Sequence, residues 1–258
     1  MIGIYMSGTG NTKHCLQVLL SKLEPEAEMI PVEDECAAEK IKGNEDVILA
    51  YPTQFSNVPY MVRDFINCNS GIWHGKKVFL MTTMGAFSGD GTGCAARLLK
   101  KYGAMIIGGL QVRMPDAVCD NKMLKKTLEE NKKIVAEANE KIIKMSDSII
   151  NNHKYPREGL SVVAHLAGLF GQRLWFYNKT TDYSKKLKID DNCIGCGLCV
   201  KNCPMGNLSL KDGKAVSANR CAMCYRCIST CPKQAVLLLG KHVYEQCRYE
   251  KYATENFQ

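Results

Sequence analysis

Residues 193–232 contain two cysteine runs of identical spacing, C-I-G-C-G-L-C-V-K-N-C-P and C-A-M-C-Y-R-C-I-S-T-C-P. Each is C-x2-C-x2-C-x3-C-P, a spacing that wraps three thiolates round one iron–sulfur cubane and sends the fourth to a second cubane. The proline after each fourth cysteine ends the turn. The spacing assigns one cluster to Cys193, Cys196, Cys199 and Cys231, and the other to Cys221, Cys224, Cys227 and Cys203. Zinc would need C-x2-C pairs with a longer gap between them rather than two complete four-cysteine runs. Disulfides would need an oxidising, exported context, of which the chain gives no sign. Cys15, Cys36, Cys68, Cys94, Cys119 and Cys247 lie outside the spacing and read mostly as small buried hydrophobes. The five histidines form no ligand pattern, and no catalytic triad is visible.

At the other end, M-I-G-I-Y-M-S-G-T-G-N-T runs from a short apolar strand through a Gly-Ser-Thr loop into a helical pattern from Lys13. Such a loop can offer backbone N–H groups, a helix N-terminus and the hydroxyls of Ser7, Thr9 and Thr12 to a phosphate. A nucleotide-triphosphate loop would need G-K-[ST] where Gly10-Asn11-Thr12 stands, and a dinucleotide loop would need a glycine where Lys13 stands. Hydroxyls without a fixed cation suit a terminal phosphate monoester.

Between these ends, strand-like stretches at residues 29–32, 46–51, 77–83 and 104–110 alternate with helical patterns at 58–67, 91–102 and within 122–150. With the first strand they predict an α/β domain, a doubly wound parallel sheet whose ligand sits beyond the strands' carboxyl ends. The loops at those ends are 7–12, 52–59 and 83–91. Residues 160–170 predict a short buried helix, Leu174-Trp175-Phe176-Tyr177 an aromatic cluster at the domain junction, and residues 235–239 a closing strand.

The loop S-G-T-G-N-T and the five strands resemble a short flavodoxin. The segments Y-P-T-Q-F-S-N-V-P-Y-M-V-R-D-F-I and T-M-G-A-F-S-G-D-G resemble the flavodoxin half of flavodoxin–ferredoxin fusion proteins, and Arg248-Tyr249 is similar to a pair near the end of those fusions. The resemblance implies a flavodoxin-like five-stranded parallel sheet of order 2-1-3-4-5 plus a small α+β ferredoxin domain with two [4Fe-4S] clusters. It implies FMN, its phosphate held at Ser7, Thr9, Gly10, Asn11 and Thr12. The ring would lie between Pro52, Thr53, Gln54, Phe55, Ser56 and Asn57 on one side and Thr83, Met84, Gly85, Ala86, Phe87 and Gly89 on the other. Phe55 and Phe87 are expected to flank it. Where flavodoxin loops carry a glycine whose peptide can flip, this chain has Asn57, the residue type that best tolerates positive φ after glycine. The division this suggests is 1–150 for the flavin domain, 151–187 for a connector, 188–240 for the cluster domain and 241–258 for a tail.

The charge fits this division. Basic and acidic side chains balance over residues 1–150, so the formal net charge of +8 falls entirely on residues 151–258. Two cubanes with their thiolates would bring about −4 there. No nucleic-acid module is evident, the longest apolar run is too short to span a bilayer, and Met1 opens directly into a strand, so a reducing cytoplasm and no nucleic-acid partner are expected. Flavin and clusters together point to a carrier of low-potential electrons that exchanges them with partner oxidoreductases. A cluster-fed FMN reductase of a small molecule and a redox or oxygen sensor are the competing readings.

Overall fold

The computed structural model describes residues 1–176 and 179–253, the side chain of Thr181 excepted. Tyr177 of the expected aromatic cluster and tail residues 254–258 lie outside the described residues. Five strands, β1 (Ile2–Tyr5), β2 (Glu28–Pro31), β3 (Asp46–Pro52), β4 (Lys77–Met84) and β5 (Met105–Arg113), form one parallel sheet in the order β2-β1-β3-β4-β5. The helices between them are α1 (Asn11–Leu23), α2 (Ala37–Lys42), α3 (Tyr60–Cys68) and α4 (Gly91–Lys101), with α5 (Leu128–Asn152) after β5. The short α2 was not foreseen from sequence.

Alternation along the strands builds two apolar layers. Val47, Leu49 and Tyr51 of β3 face Val62, Ile66, Ala95 and Leu99 of α3 and α4. Ile48 and Ala50 face Leu16 and Leu19 of α1 and Val135 and Ile142 of α5. A parallel sheet covered on both faces explains why its strands read as continuous apolar runs, and each buried Ile or Leu contributes about 1.5–3 kcal/mol. The start of α5 is set by a reciprocal capping box, in which Thr127 Oγ1 accepts from Glu130 N and Glu130 Oε2 accepts from Thr127 N.

The connector covers the outer edge of β5. Gly109 N donates to Pro156 O, Glu158 N donates to Gly109 O, and Lys141 pairs with Glu158 at 2.8 Å. A covered edge strand offers no template for pairing with another chain. Beyond it run α6 (Val162–Gly168), a π turn (Leu169–Arg173), α7 (Leu174–Phe176) and α8 (Lys179–Ser184). The expected buried helix at 160–170 is corrected here, because Val162, Val163 and Phe170 are all largely exposed. Polar contacts do much of the work of holding the connector. Asp90, fully buried, accepts from the buried Arg173 Nη1, from Arg97 Nη2 at 2.7 Å and pairs with His165 Nδ1 at 2.9 Å.

The C-terminal unit is small. β6 (Lys188–Ile189) pairs antiparallel with β9 (Val236–Leu237), and β7 (Leu208–Lys211) with β8 (Lys214–Ser217), across an Asp212-Gly213 turn. Helices α9 (Leu198–Asn202) and α10 (Arg226–Thr230) each begin just before the third cysteine of a run. Among the described residues no helix is long and apolar enough to cross a membrane.

Candidate functional site

Each cysteine run closes round its own cavity. One is lined by Cys193, Cys196, Cys199 and Cys231, and another by Cys203, Cys221, Cys224 and Cys227. In each, the fourth thiol crosses over from the other run. Among the described residues no three His, Cys, Asp or Glu side chains converge on a point that could hold a single metal ion. Thiols ringing a void of this kind suit a cubane, which sets its ligands further apart than one zinc ion does. Of the cysteines outside the runs, Cys15, Cys119 and Cys247 are buried as expected, whereas Cys36 and Cys68 are exposed.

A third and larger cleft, open to solvent, lies beyond the carboxyl ends of β1, β3, β4 and β5. Its floor is the β1–α1 loop, with Ser7, Gly8, Thr9, Asn11 and Thr12. Thr12 Oγ1 is 2.8 Å from Thr83 Oγ1, and Asn11 Nδ2 donates to Pro115 O at 2.8 Å, so three strand ends are tied together under the cleft. Gly10 caps α1 in a left-handed conformation, φ 93°, and is not among the lining residues; a Cβ on it would meet Tyr249. Tyr249 N donates to Thr9 O at 2.8 Å, and its ring stacks on His14 at 4.0 Å, so the tail that carries Arg248-Tyr249 lies against this loop. Burial pushes the His14 imidazole below its usual range.

The β3–α3 loop brings Pro52, Thr53, Gln54 and Phe55 to the cleft. Ser56 and Asn57 do not reach it. Gln54 and Asn57 exchange backbone bonds of 3.1 and 3.0 Å, and the tight turn is made by Phe55 and Ser56, φ 51° and 57°. Positive φ thus falls on those two residues rather than on Asn57, whose Oδ1 accepts from Val58 N. Ser56 is fully buried beneath the connector, its Oγ donating to Gln172 Oε1 at 2.7 Å. Phe55 stacks on Phe176 at 4.7 Å, and this aromatic pair ties the connector to the cleft.

The β4–α4 loop divides in the same way. Thr83, Met84 and Gly85 line the cleft, while Ala86, Phe87 and Gly89 do not. Beyond Gly85 the loop is drawn to the connector by the buried Asp90–Arg173 pair; Gly89 packs on Gly168, and Phe87 lies half exposed beside Gly171. Phe87, expected to flank the ring, lies outside the lining of the cleft.

Two walls of the cleft escaped the sequence reading. One is the segment after β5, with Met114, Pro115, Asp116, Ala117, Val118 and Asn121. A fifth carboxyl end and a long stretch before the capping box were signals that could have found it. Burial pushes the Asp116 carboxyl above the usual carboxylate range. The other wall is Met223, Cys224, Tyr225 and Leu239 of the cysteine-rich unit. Gly8 marks the contact, since a Cβ there would fall 1.7 Å from Cys224 O. Arg226 Nη2, donating to Ser7 O at 2.8 Å and paired with Glu33 at 2.7 Å, holds the same junction.

A family model described as a flavodoxin domain matches residues 2–136, and one described as a 4Fe-4S dicluster domain matches residues 192–235. The first match spans just over half of the chain, which therefore belongs to the flavodoxin domain family. With the dicluster domain at its C-terminal end, it is a flavodoxin–ferredoxin fusion. It is 40% identical over 52 residues to an uncharacterized protein of Methanocaldococcus jannaschii, covering 20% of each chain. It is 28% identical over 68 residues to an uncharacterized ferredoxin of the same organism, covering 24% of this chain and 43% of that one. The chain thus spans less than half the length of these curated relatives. Among solved structures, two-electron reduced Megasphaera elsdenii flavodoxin matches with TM-score 0.40 and 23% identity, covering 55% of this chain and 99% of that one. Fusobacterium nucleatum flavodoxin bound to flavin mononucleotide matches with TM-score 0.36 and 18% identity, covering 55% and 96%.

FMN and iron–sulfur clusters are the cofactors these two domains imply. The residues present fit a flavin. Asn11 Oδ1 and Gln54 Oε1, both on cleft-lining side chains, are buried acceptors without a partner. Ribityl hydroxyls and the pyrimidine N–H of FMN are donors of the kind such acceptors need.

Proposed function

We propose that the chain is an electron relay in which one FMN and two [4Fe-4S] clusters exchange electrons within one molecule and with partner redox proteins. The observation that carries this reading is Cys224, which lines both the second cysteine cavity and the large cleft. In this reading Ser7, Thr9, Asn11 and Thr12, with the N-terminus of α1, hold the FMN phosphate. Pro52, Thr53, Gln54 and Phe55 with Thr83, Met84 and Gly85 hold the ring. Cys193, Cys196, Cys199 and Cys231 ligate cluster one, and Cys203, Cys221, Cys224 and Cys227 ligate cluster two. None of the four cluster-one thiols lines the cleft, so electrons pass from flavin to cluster two to cluster one, or in reverse. Cluster one, with Cys196 exposed, is then the port to partner proteins. FMN supplies the two-electron to one-electron conversion, and the protein contributes placement, burial and charge.

The free cysteines outside the runs fit a reducing compartment such as the cytoplasm. The test is cofactor analysis of the anaerobically prepared chain followed by offered acceptors. About eight irons, about eight sulfides and one FMN per chain are expected, with reoxidation by one-electron protein carriers. Four irons, or saturable turnover of a quinone or nitro compound without any protein carrier, would overturn the reading.

A further inference from the structure

The two cysteine runs repeat each other cysteine for cysteine, and the repeat breaks at two informative places. In the first run the residues flanking the second cysteine, Gly195 and Gly197, are left-handed, with φ 66° and 76°. The same two places in the second run hold Met223, φ 53°, and Tyr225, φ 61°. The loop's path therefore requires left-handed backbone at both places in either run. Glycine adopts it freely, whereas a side chain adopts it against a steric penalty. The second run carries a strain that its own twin avoids.

A third matched pair, Gly206 and Gln234, is also left-handed, and Gln234 is exposed. Replacement of glycine is therefore not in itself the sign of a role. What separates Met223 and Tyr225 is the destination of their side chains, since both are buried and both line the large cleft. The Tyr225 side chain and the Met223 backbone are also fixed there. Tyr225 Oη donates to Asp120 Oδ1 at 3.1 Å, and Asp120 Oδ2 accepts from Leu238 N, Leu239 N and Gly240 N. Gln54 Nε2 donates to Ala222 O at 2.9 Å and Met223 O at 3.3 Å, while its Oε1 has no partner.

We propose that Met223 and Tyr225 are flavin-contacting residues, so that the flavin site is built jointly by both domains and the strain in the second run is retained for that contact. The proposal rests on the reading of the cleft as the FMN site. It has a thermodynamic consequence. The loop that forms this wall also wraps cluster two, so cluster assembly orders the wall and must raise FMN affinity, and FMN must stabilise cluster two by the same factor.

The test uses the full chain, prepared anaerobically, with FMN affinity read by fluorescence titration of the flavin-free, cluster-loaded protein. Met223→Gly and Tyr225→Gly keep the backbone accessible and remove the side chains. Each is expected to retain the native iron content and to bind FMN at least about tenfold more weakly, a loss of about 1.4 kcal/mol. FMN affinity within about twofold of native in both variants overturns the proposal. Should a glycine variant lose iron, the native chain with and without its clusters decides. At least about tenfold weaker FMN binding without clusters supports the joint site, and equal affinity refutes it. A native, cluster-loaded chain that binds no FMN would instead sink the reading of the cleft itself.

Discussion

Asp120 holds the two domains together with one buried carboxylate. It sits in the loop after β5, is 2% exposed, and satisfies three consecutive N–H groups of the cluster domain together with the Tyr225 hydroxyl. Asp120→Ala would strand all four donors, so a loss of about 3–5 kcal/mol is expected in anaerobic urea unfolding. Asp116, four residues earlier, works in the opposite sense. Its pKa is raised by burial, so the folded state holds its proton more tightly than the unfolded chain does. The stability this contributes is present below the unfolded pKa and is lost as pH rises through the folded one. Asp116→Asn keeps an oxygen for the Val118 N bond and removes the buried charge. It should therefore raise the melting temperature at pH 7 and leave it nearly unchanged at pH 3; a lower melting temperature at pH 7 would contradict this.

At the scale of elements, the five strands and four of the five helices of the flavodoxin domain were legible because a doubly covered parallel sheet forces long apolar runs on β3 and β4 and helical spacing between them. The dicluster domain was legible for a simpler reason, since cluster ligation dictates the spacing of cysteines directly. The division of the loops was not. Nothing local in S-N or A-F-S-G tells that Asp90 and Arg173, far apart in sequence, pull the far half of the β4–α4 loop away from the cleft. The connector was misread because its apolar composition suggested burial, whereas a polar network anchors it. Arg173→Met should cost about 3 kcal/mol, because Asp90 would keep a buried charge with only Arg97 and His165 beside it. Thr127→Ala should cost only about 1 kcal/mol, the worth of an N-cap at the start of α5. Equal losses for the two variants in the same unfolding assay would refute this ranking.

For the whole molecule, the central claim is that the cleft proposed for the flavin and the second cysteine cavity share a wall. The contact of Gly8 with Cys224 O leaves no room for a side chain, so Gly8→Val must push the domains apart at the junction. It should slow exchange between flavin and clusters without removing either cysteine set. The most direct measurement is rapid anaerobic photoreduction of the flavin, followed by the absorbance of flavin and clusters over a wide range of protein concentration. The account predicts one equilibration phase whose rate is independent of concentration, because the electron never leaves the chain. A rate that rises in proportion to concentration would mean that electrons travel between molecules, and the shared wall would not be an electron path.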